Sequence, residues 1–439
     1  MASETPAIQS YVDQFKAHAA TLPGAGLPWL DELRAAGLDR FVKTGFPTPR
    51  QESWKFTSLR PLERQSFGLA PALTAPVPAA SIPTVAPGGG SHRMVFLGGR
   101  YRPDLSDTGG LPPGATLESL GEALVRSPDG VAEHLGRTAT LDAHPLLALN
   151  LAFLTDGVVL RLARGTVVPR PVELVFLSND DGLPAAWHPR ILVLAEENAE
   201  ATLIEHHVGL GSAACFSNVV AEIVLGAGAR LHHYKIQRES LSAIHLATTT
   251  AHVGRDATYD TFILNLGAAL SRHEGRSVLE GTGTTCRISG AYAVRGTQHT
   301  DITTLIDHAK PRGTSREVVK GVIDGQARAV FQGKIIVRPD AQKTDGYQLN
   351  RALLLSDQAE IDSKPELEIY ADDVKCSHGA TAGELDDAQL FYLRSRGLPL
   401  ERARALLIAA FLDEALEEIP VEAVREHFKA AIHGWLGER

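Results

Sequence analysis

Residues 229–267, ARLHHYKIQRESLSAIHLATTTAHVGRDATYDTFILNLG, repeat with a step of 14: Ala229, Ala243 and Ala257 begin successive units. The ladder runs on in both directions, through Cys215 to Ala201 and through Ser271, Thr285, His299, Gly313 and Ala327 to Ala341, and His299 alone is not small. Turn clusters recur at twice that interval, at Gly226-Ala227-Gly228, Gly254-Arg255-Asp256 and Gly281-Thr282-Gly283, and Val208, Ile236, Leu264 and Tyr292 are spaced by 28. Runs such as ATLIEHHV and ARLHHYKI are rich in branched residues and free of proline, as strands are. A unit of 14 is too short for a helical hairpin, but it fits one strand and its turn, so two units close a coil. The spacing therefore predicts a mainly β chain with a right-handed parallel β-helix core, its small anchors at corners where a larger side chain would crowd the next coil. Register is lost after Ala341, since Ala359 follows 18 residues later.

On either side of this core the texture is helical. Pro28 suits a first helical position, with Leu30, Leu33 and Phe41 following on an apolar face. Residues 69–92 are rich in Pro, Ala and Gly and read as a linker; MVFLGGRYRPDLS reads as strand and turn, and ESLGEALVRSPDGVAEHLG as short helices. Asp386 caps a helix that Gly397 stops, Pro399 opens a second with Ala403, Leu407, Ala410 and Phe411 on one face, and Pro420 opens a third. The expected division is an N-terminal helical region at 1–68, the linker at 69–92, a mixed segment at 93–160, the β-helix at 161–380 and a C-terminal helical domain at 381–439.

The 439 residues are 44% hydrophobic and 22% charged, the balance of a chain with a real core. A net charge of −9 argues against a broad nucleic-acid-binding face. No apolar run nears the roughly 18–20 residues that span a bilayer, and the start lacks a secretory layout. Three cysteines, Cys215, Cys286 and Cys376, are too few for a disulfide framework. A cytoplasmic chain is expected. No P-loop occurs, for Gly333-Lys334 is followed by Ile335, and neither a G-x-S-x-G elbow nor an H-E-x-x-H helix is present.

The densest polar cluster is Ala371-Asp372-Asp373-Val374-Lys375-Cys376-Ser377-His378-Gly379-Ala380. In an extended segment Cys376 and His378 point to one side, and thiolate with imidazole suits iron or zinc. Two donors do not close a tetrahedral site, so a metal here would be shared across an interface or held transiently. Taken alone, the pair reads first as a structural Cys beside a hydrogen-bonded His. Cys215 and Cys286 sit at or beside anchor positions, which favours packing, and Asp372 and Asp373 suit a turn. His206, His207, His232, His233, His245, His273, His299 and His308 read as solvated or stacked, and adjacent pairs face opposite sides of a strand.

Residues 353–397, LLLSDQAEIDSKPELEIYADDVKCSHGATAGELDDAQLFYLRSRG, resemble the signature of the SufB/SufD iron–sulfur cluster scaffold family. Glu52, Trp54 and Lys55 resemble its E-x-W-K motif, and Leu149, Asn150, Ala152, Phe153, Asp156 and Gly157 another family segment. Cys-Ser-His-Gly-Ala-Thr stands where SufB-type chains carry an E-H-E-A-T-like segment, which places the resemblance nearer the SufD branch. The resemblance implies a non-enzymatic scaffold subunit that binds no nucleotide, pairing through its β-helix with a SufB-type subunit and through its C-terminal helices with a SufC-type ATPase. It also implies that His378, with Cys376, faces the partner where a nascent iron–sulfur cluster forms; a homodimer of the chain alone is left open. Two other functions remain open: a purely structural partner, and a β-helix enzyme acting on polysaccharides, which would align charged residues along one groove.

Overall fold

The structure is a computed structural model that describes residues 6–72, 76–86, 88–141, 143–178 and 184–437. Its core is a parallel β-solenoid whose strands alternate between two sheets. One sheet stacks His92–Leu97, Val172–Leu177, Glu200–Val208, Arg230–Arg238, Thr258–Asn265, Thr285–Val294, Thr314–Ile323, Asp345–Leu354 and Lys375–Gly383. The other stacks Gly157–Leu162, Arg190–Ala195, Cys215–Leu225, Ile244–Val253, Leu270–Leu279, His299–His308, Arg328–Val337 and Glu360–Ile369. Partners in adjacent coils are close to the expected 28 apart, as in Phe216 with Ile244, but the step contracts between Ile244 and Leu270 and widens between Arg328 and Glu360. That widening is the loss of register after Ala341.

The corners explain the anchors. Asn198, Gly228, Asp256, Gly283, Arg312 and Lys343, one per coil, all turn through positive φ between 56° and 74°. Each also donates its backbone N–H to the next coil, as Gly228 does to the Arg255 carbonyl at 2.7 Å and Asp256 to the Thr282 carbonyl at 2.9 Å. Ala229, Ala257 and Gly313 follow these turns and are buried, while Cys215, Ala243 and Ala327 line the opposite corner, equally buried. The 28-residue set is only partly one column. Ile236 and Leu264 are register partners on the outer face, but Val208 pairs with Arg238, and Tyr292 pairs with Asn265 on the inward face.

Helices cover both outer faces. Tyr11, Phe41, Phe46, Trp54 and Phe153 pack on Phe216, Ile244, Leu246 and Leu270. Ile408, Leu412, Val424, Phe428 and Ile432 pack on Ile204, Tyr234, Ile236, Phe262 and Leu264. Each such side chain contributes about 1.5–3 kcal/mol by leaving water. Pro28 opens the helix Pro28–Thr44, Asp386 caps Asp387–Ser395, and Gly397 ends it at φ 90°. In Leu400–Leu416 the buried stripe is Ala403, Ile408, Leu412, Ala415 and Leu416 rather than the face through Leu407 and Ala410. The helix meets the sheet along its Ile408–Leu412 side, which the run of apolar residues in ARALLIAAF does not distinguish. The last helix runs Glu422–Gly437. Part of the linker at 69–92 falls on residues 73–75 and 87, outside the described residues.

Candidate functional site

The two ends of the solenoid differ. At the first, the sheets finish in short antiparallel strands, Arg100–Tyr101 against Phe96 and Leu97, and Ala115–Ser119 against Gly157–Leu162. At the other, Glu360–Ile369 and Lys375–Gly383 are parallel strands of nine or ten residues, each paired on one side only among the described residues. Both present free backbone N–H and C=O groups along an edge.

Alternation places Cys376, His378 and Ala380 on the inward side of the last strand. Cys376 pairs in register with Gly346, and its Sγ lies 3.3 Å from where a Cβ on Gly346 would sit. Behind Gly346 the column continues through Ser315, Cys286 and Tyr259. Cys376 is half-buried against the core, and burial raises its thiol above the usual range. His378 pairs with Gln348, and its column continues to Glu317 and Ile288. It would be interior in any earlier coil; here it is exposed because no further coil covers it. The two donors are thus brought to one open face, and among the described residues no group of three or more His, Cys, Asp or Glu is set to hold a metal ion. Asp373 is a turn residue: its backbone carbonyl accepts from Lys343 N–H at 2.6 Å and its carboxylate lies 3.4 Å from Lys343 Nζ.

Cys215 and Cys286 are fully buried among apolar side chains. Burial raises both thiols, that of Cys286 to about 12. The adjacent histidines split as alternation requires. His206 faces outward, 2.9 Å from Glu173 Oε2 and edge-on to His427, while His207 and His233 face inward. The inward ones are not solvated. His207 Nε2 lies 2.9 Å and His233 Nε2 2.6 Å from the two oxygens of Glu205, and His245 Nδ1 lies 2.7 Å from Glu239. Burial works against these carboxylates, yet Lys235 and the neighbouring His207 and His233 hold Glu205 well below its ordinary value, and His245 helps hold Glu239 at about 2. This enclosed network was not foreseen; its signal is the recurrence of ionisable residues at inward parity in strands 30 residues apart, such as Glu205 and Lys235.

Glu317 is the exception. It is fully buried and accepts from Thr304 Oγ1 at 2.5 Å and from Gln348 Nε2 at 2.6 Å, and burial outweighs those two bonds, raising it to about 7. Between 4.5 and about 7 the folded chain holds this proton and the unfolded chain does not, so the stability it contributes falls as pH rises through that window. Glu317→Gln is expected to gain on wild type by about 3 kcal/mol between pH 5 and pH 8. The buried His188 and His207, lowered to about 3, destabilise both chains equally as pH falls below 6.5 and cancel in that difference. Parallel melting curves across the range check it; a difference independent of pH refutes the assignment.

The matched N-terminal motif is a clamp. Trp54 is buried with the Arg272 guanidinium 4.0 Å from its ring centroid, Ser53 O accepts from Arg272 and Gln332, and Glu52 pairs with Lys364 at 2.7 Å. Thr57 donates to Asp301, which also binds Arg272. The motif therefore ties the N-terminal region across several coils of one sheet. No helix among the described residues is long and apolar enough to cross a membrane.

Comparison with known proteins matches residues 5–174 to the SufBD protein N-terminal region and residues 176–411 to the SufBD core domain of SUF system FeS cluster assembly. An iron–sulfur cluster assembly SufBD family protein of Synechocystis is 36% identical over 409 residues, 91% of this chain and 89% of the relative. The iron–sulfur cluster assembly protein SufD of Escherichia coli is 34% identical over 398 residues, 90% of each chain. Protein ABCI7, chloroplastic, of Arabidopsis thaliana is 27% identical over 439 residues, 98% of this chain and 91% of the relative.

Proposed function

We propose a function from one premise: this chain belongs to the SufBD family of iron–sulfur cluster assembly proteins. It acts as a SufD-type scaffold subunit. Its open solenoid end docks against the matching end of a SufB-type subunit, and the nascent cluster, which is cargo here, assembles between them. One observation carries this: an unpaired double edge and two metal donors, His378 and Cys376, occupy the same terminal coil. Backbone pairing across the edges supplies affinity, as in strand addition generally. Iron's remaining ligands come from sulfide and from the partner, since two donors leave a tetrahedral site half made. With no nucleotide motif of its own, the chain leaves ATP hydrolysis to a SufC-type ATPase docked on the C-terminal helices. Without its partner, the same edges pair two copies of this chain. The helices covering both sheets lie across the faces where a polysaccharide-acting β-helix would present its groove.

The test is iron and acid-labile sulfide content of the complex, coexpressed with SufB- and SufC-type subunits and purified anaerobically. His378→Ala is expected to lower both about tenfold, the scale on which groups at a metal site act, with all three subunits still co-eluting. Unchanged content would leave this chain a structural partner and place the chemistry on the other subunit.

A further inference from the structure

The column behind His378 holds an unsatisfied acceptor. Gln348 is fully buried, and its Nε2 donates back one coil to Glu317 Oε2 at 2.6 Å, while Glu317's other oxygen accepts from Thr304 at 2.5 Å. Gln348 Oε1 is buried and has no hydrogen-bond partner. A buried acceptor left unmade costs about 1–3 kcal/mol, so a fold retains one where something completes it. The amide nitrogen is thus committed to Glu317 one coil back, and the oxygen is left over. The residue in register in the next coil is His378, on the same inward side and one strand spacing, about 4.8 Å, away. The neighbourhood is shaped for this amide: a Cβ on Gly333 would fall 2.0 Å from Gln348 Nε2 and 2.7 Å from Phe331 Cζ.

We propose that Gln348, held by Glu317 and Thr304, is the positioning residue of His378: its Oε1 accepts one ring N–H and so turns the lone pair of the other ring nitrogen out of the solenoid, towards the partner. The inference rests on His378 being a ligand of the nascent cluster, as proposed above. An imidazole in solution samples both tautomers and many orientations, whereas a metal-binding imidazole is usually fixed by the bond its second nitrogen makes. The terminal strand alone does not fix the ring, because His378 is exposed. Glu317 sets the polarity of the arrangement. Its Oε2 takes the amide N–H whether or not the carboxyl proton is held, since that proton can sit on the oxygen facing the Thr304 hydroxyl, and the amide oxygen is thereby left to His378.

Two readouts test this. The first uses the full-length chain with histidine-selective 15N labelling, where the His378 ring shifts report the tautomer without any cluster. Wild type is expected to show one dominant tautomer; Gln348→Leu and Gly333→Ala, each checked for an unchanged fold by its melting curve, are expected to show a mixture. The paired exchange of Glu317→Gln with Gln348→Glu keeps a donor facing an acceptor and is expected to restore the single tautomer. The second readout is iron and sulfide content of the coexpressed complex, expected to fall about tenfold in Gln348→Leu and to return within twofold of wild type in the paired exchange. A His378 tautomer unchanged in folded Gln348→Leu or Gly333→Ala overturns the proposal, whatever the cluster content. If the tautomer does change but His378→Ala leaves iron content intact, the positioning stands and the ligand role fails.

Discussion

Arg190→Met is expected to destabilise the folded chain by about 3–5 kcal/mol, because it strands a buried charge. Arg190 and Glu222 lie beneath the N-terminal helical layer, both essentially inaccessible, with Arg190 Nε 2.7 Å from Glu222 Oε1. The guanidinium also donates to Asn150 Oδ1 at 2.9 Å and to the Ala139 carbonyl at 3.2 Å. Glu222 in turn accepts from the backbone N–H groups of Gly136, Thr138 and Ala139 at 2.8–3.1 Å. Burial would raise this carboxyl, but Arg190 and those N–H groups outweigh it and hold it below its ordinary value. The pair joins the loop after the short N-terminal helices, the helix Pro145–Phe153 and two coils of the solenoid, so losing it loosens the junction between helical layer and core. Glu222→Gln added to Arg190→Met removes the stranded charge, and its amide oxygen still accepts from the Thr138 and Ala139 N–H groups. It is expected to recover more than half of the loss in thermal melts. Equal melting temperatures for the single and double variants would show that the cost lies in lost packing.

Phe391→Asp combined with Leu406→Asp is expected to weaken binding of the SufC-type ATPase by 100-fold or more, at about 2 kcal/mol for each buried anchor. Helix Asp387–Ser395 buries none of its residues in this chain; Phe391 is 74% exposed and Tyr392 57%. Leu406, on the following helix, is 47% exposed on the side away from the Ile408–Leu412 stripe. Apolar side chains grouped in this way mark association surfaces on soluble proteins. Because the anchors do not support the core, the variant should melt within a few degrees of wild type. Binding within threefold of wild type, measured by titration calorimetry, would move the ATPase site elsewhere.

The coil was legible because its corners constrain composition. A chain that turns through positive φ and stacks the turns at one strand spacing favours Gly, Asn or Asp there and a small residue beside them, and those residues recur at Gly228, Ala229, Asp256 and Ala257, although Arg312 and Lys343 make the same turn in later coils. Alternation put His206 and His207 on opposite sides of their strand, as found, without saying which side is the inside. It could not tell that the inside is polar, because Glu205 meets His233 and Lys235 only after the chain has travelled a full coil. Cys376 and His378 were visible as a pair, but resemblance rather than spacing singled them out. Gln348 and Glu317 went unseen because the step lengthens around Ala341, so the 28-residue interval of the earlier coils does not carry Glu317 to Gln348 or Gln348 to His378.

The difference between the two ends of the solenoid sets how far assembly can go. A rod with two adhesive tips is a bifunctional monomer, and mixing such rods gives fibres of unlimited length. Among the described residues this rod has one tip finished by short antiparallel strands and one left bare, so its valence in strand-edge pairing is one. A monovalent unit stops growing after a single encounter. In the pairing proposed above, the bare edge that would seed aggregation in a two-ended rod would therefore limit edge-to-edge association to two chains.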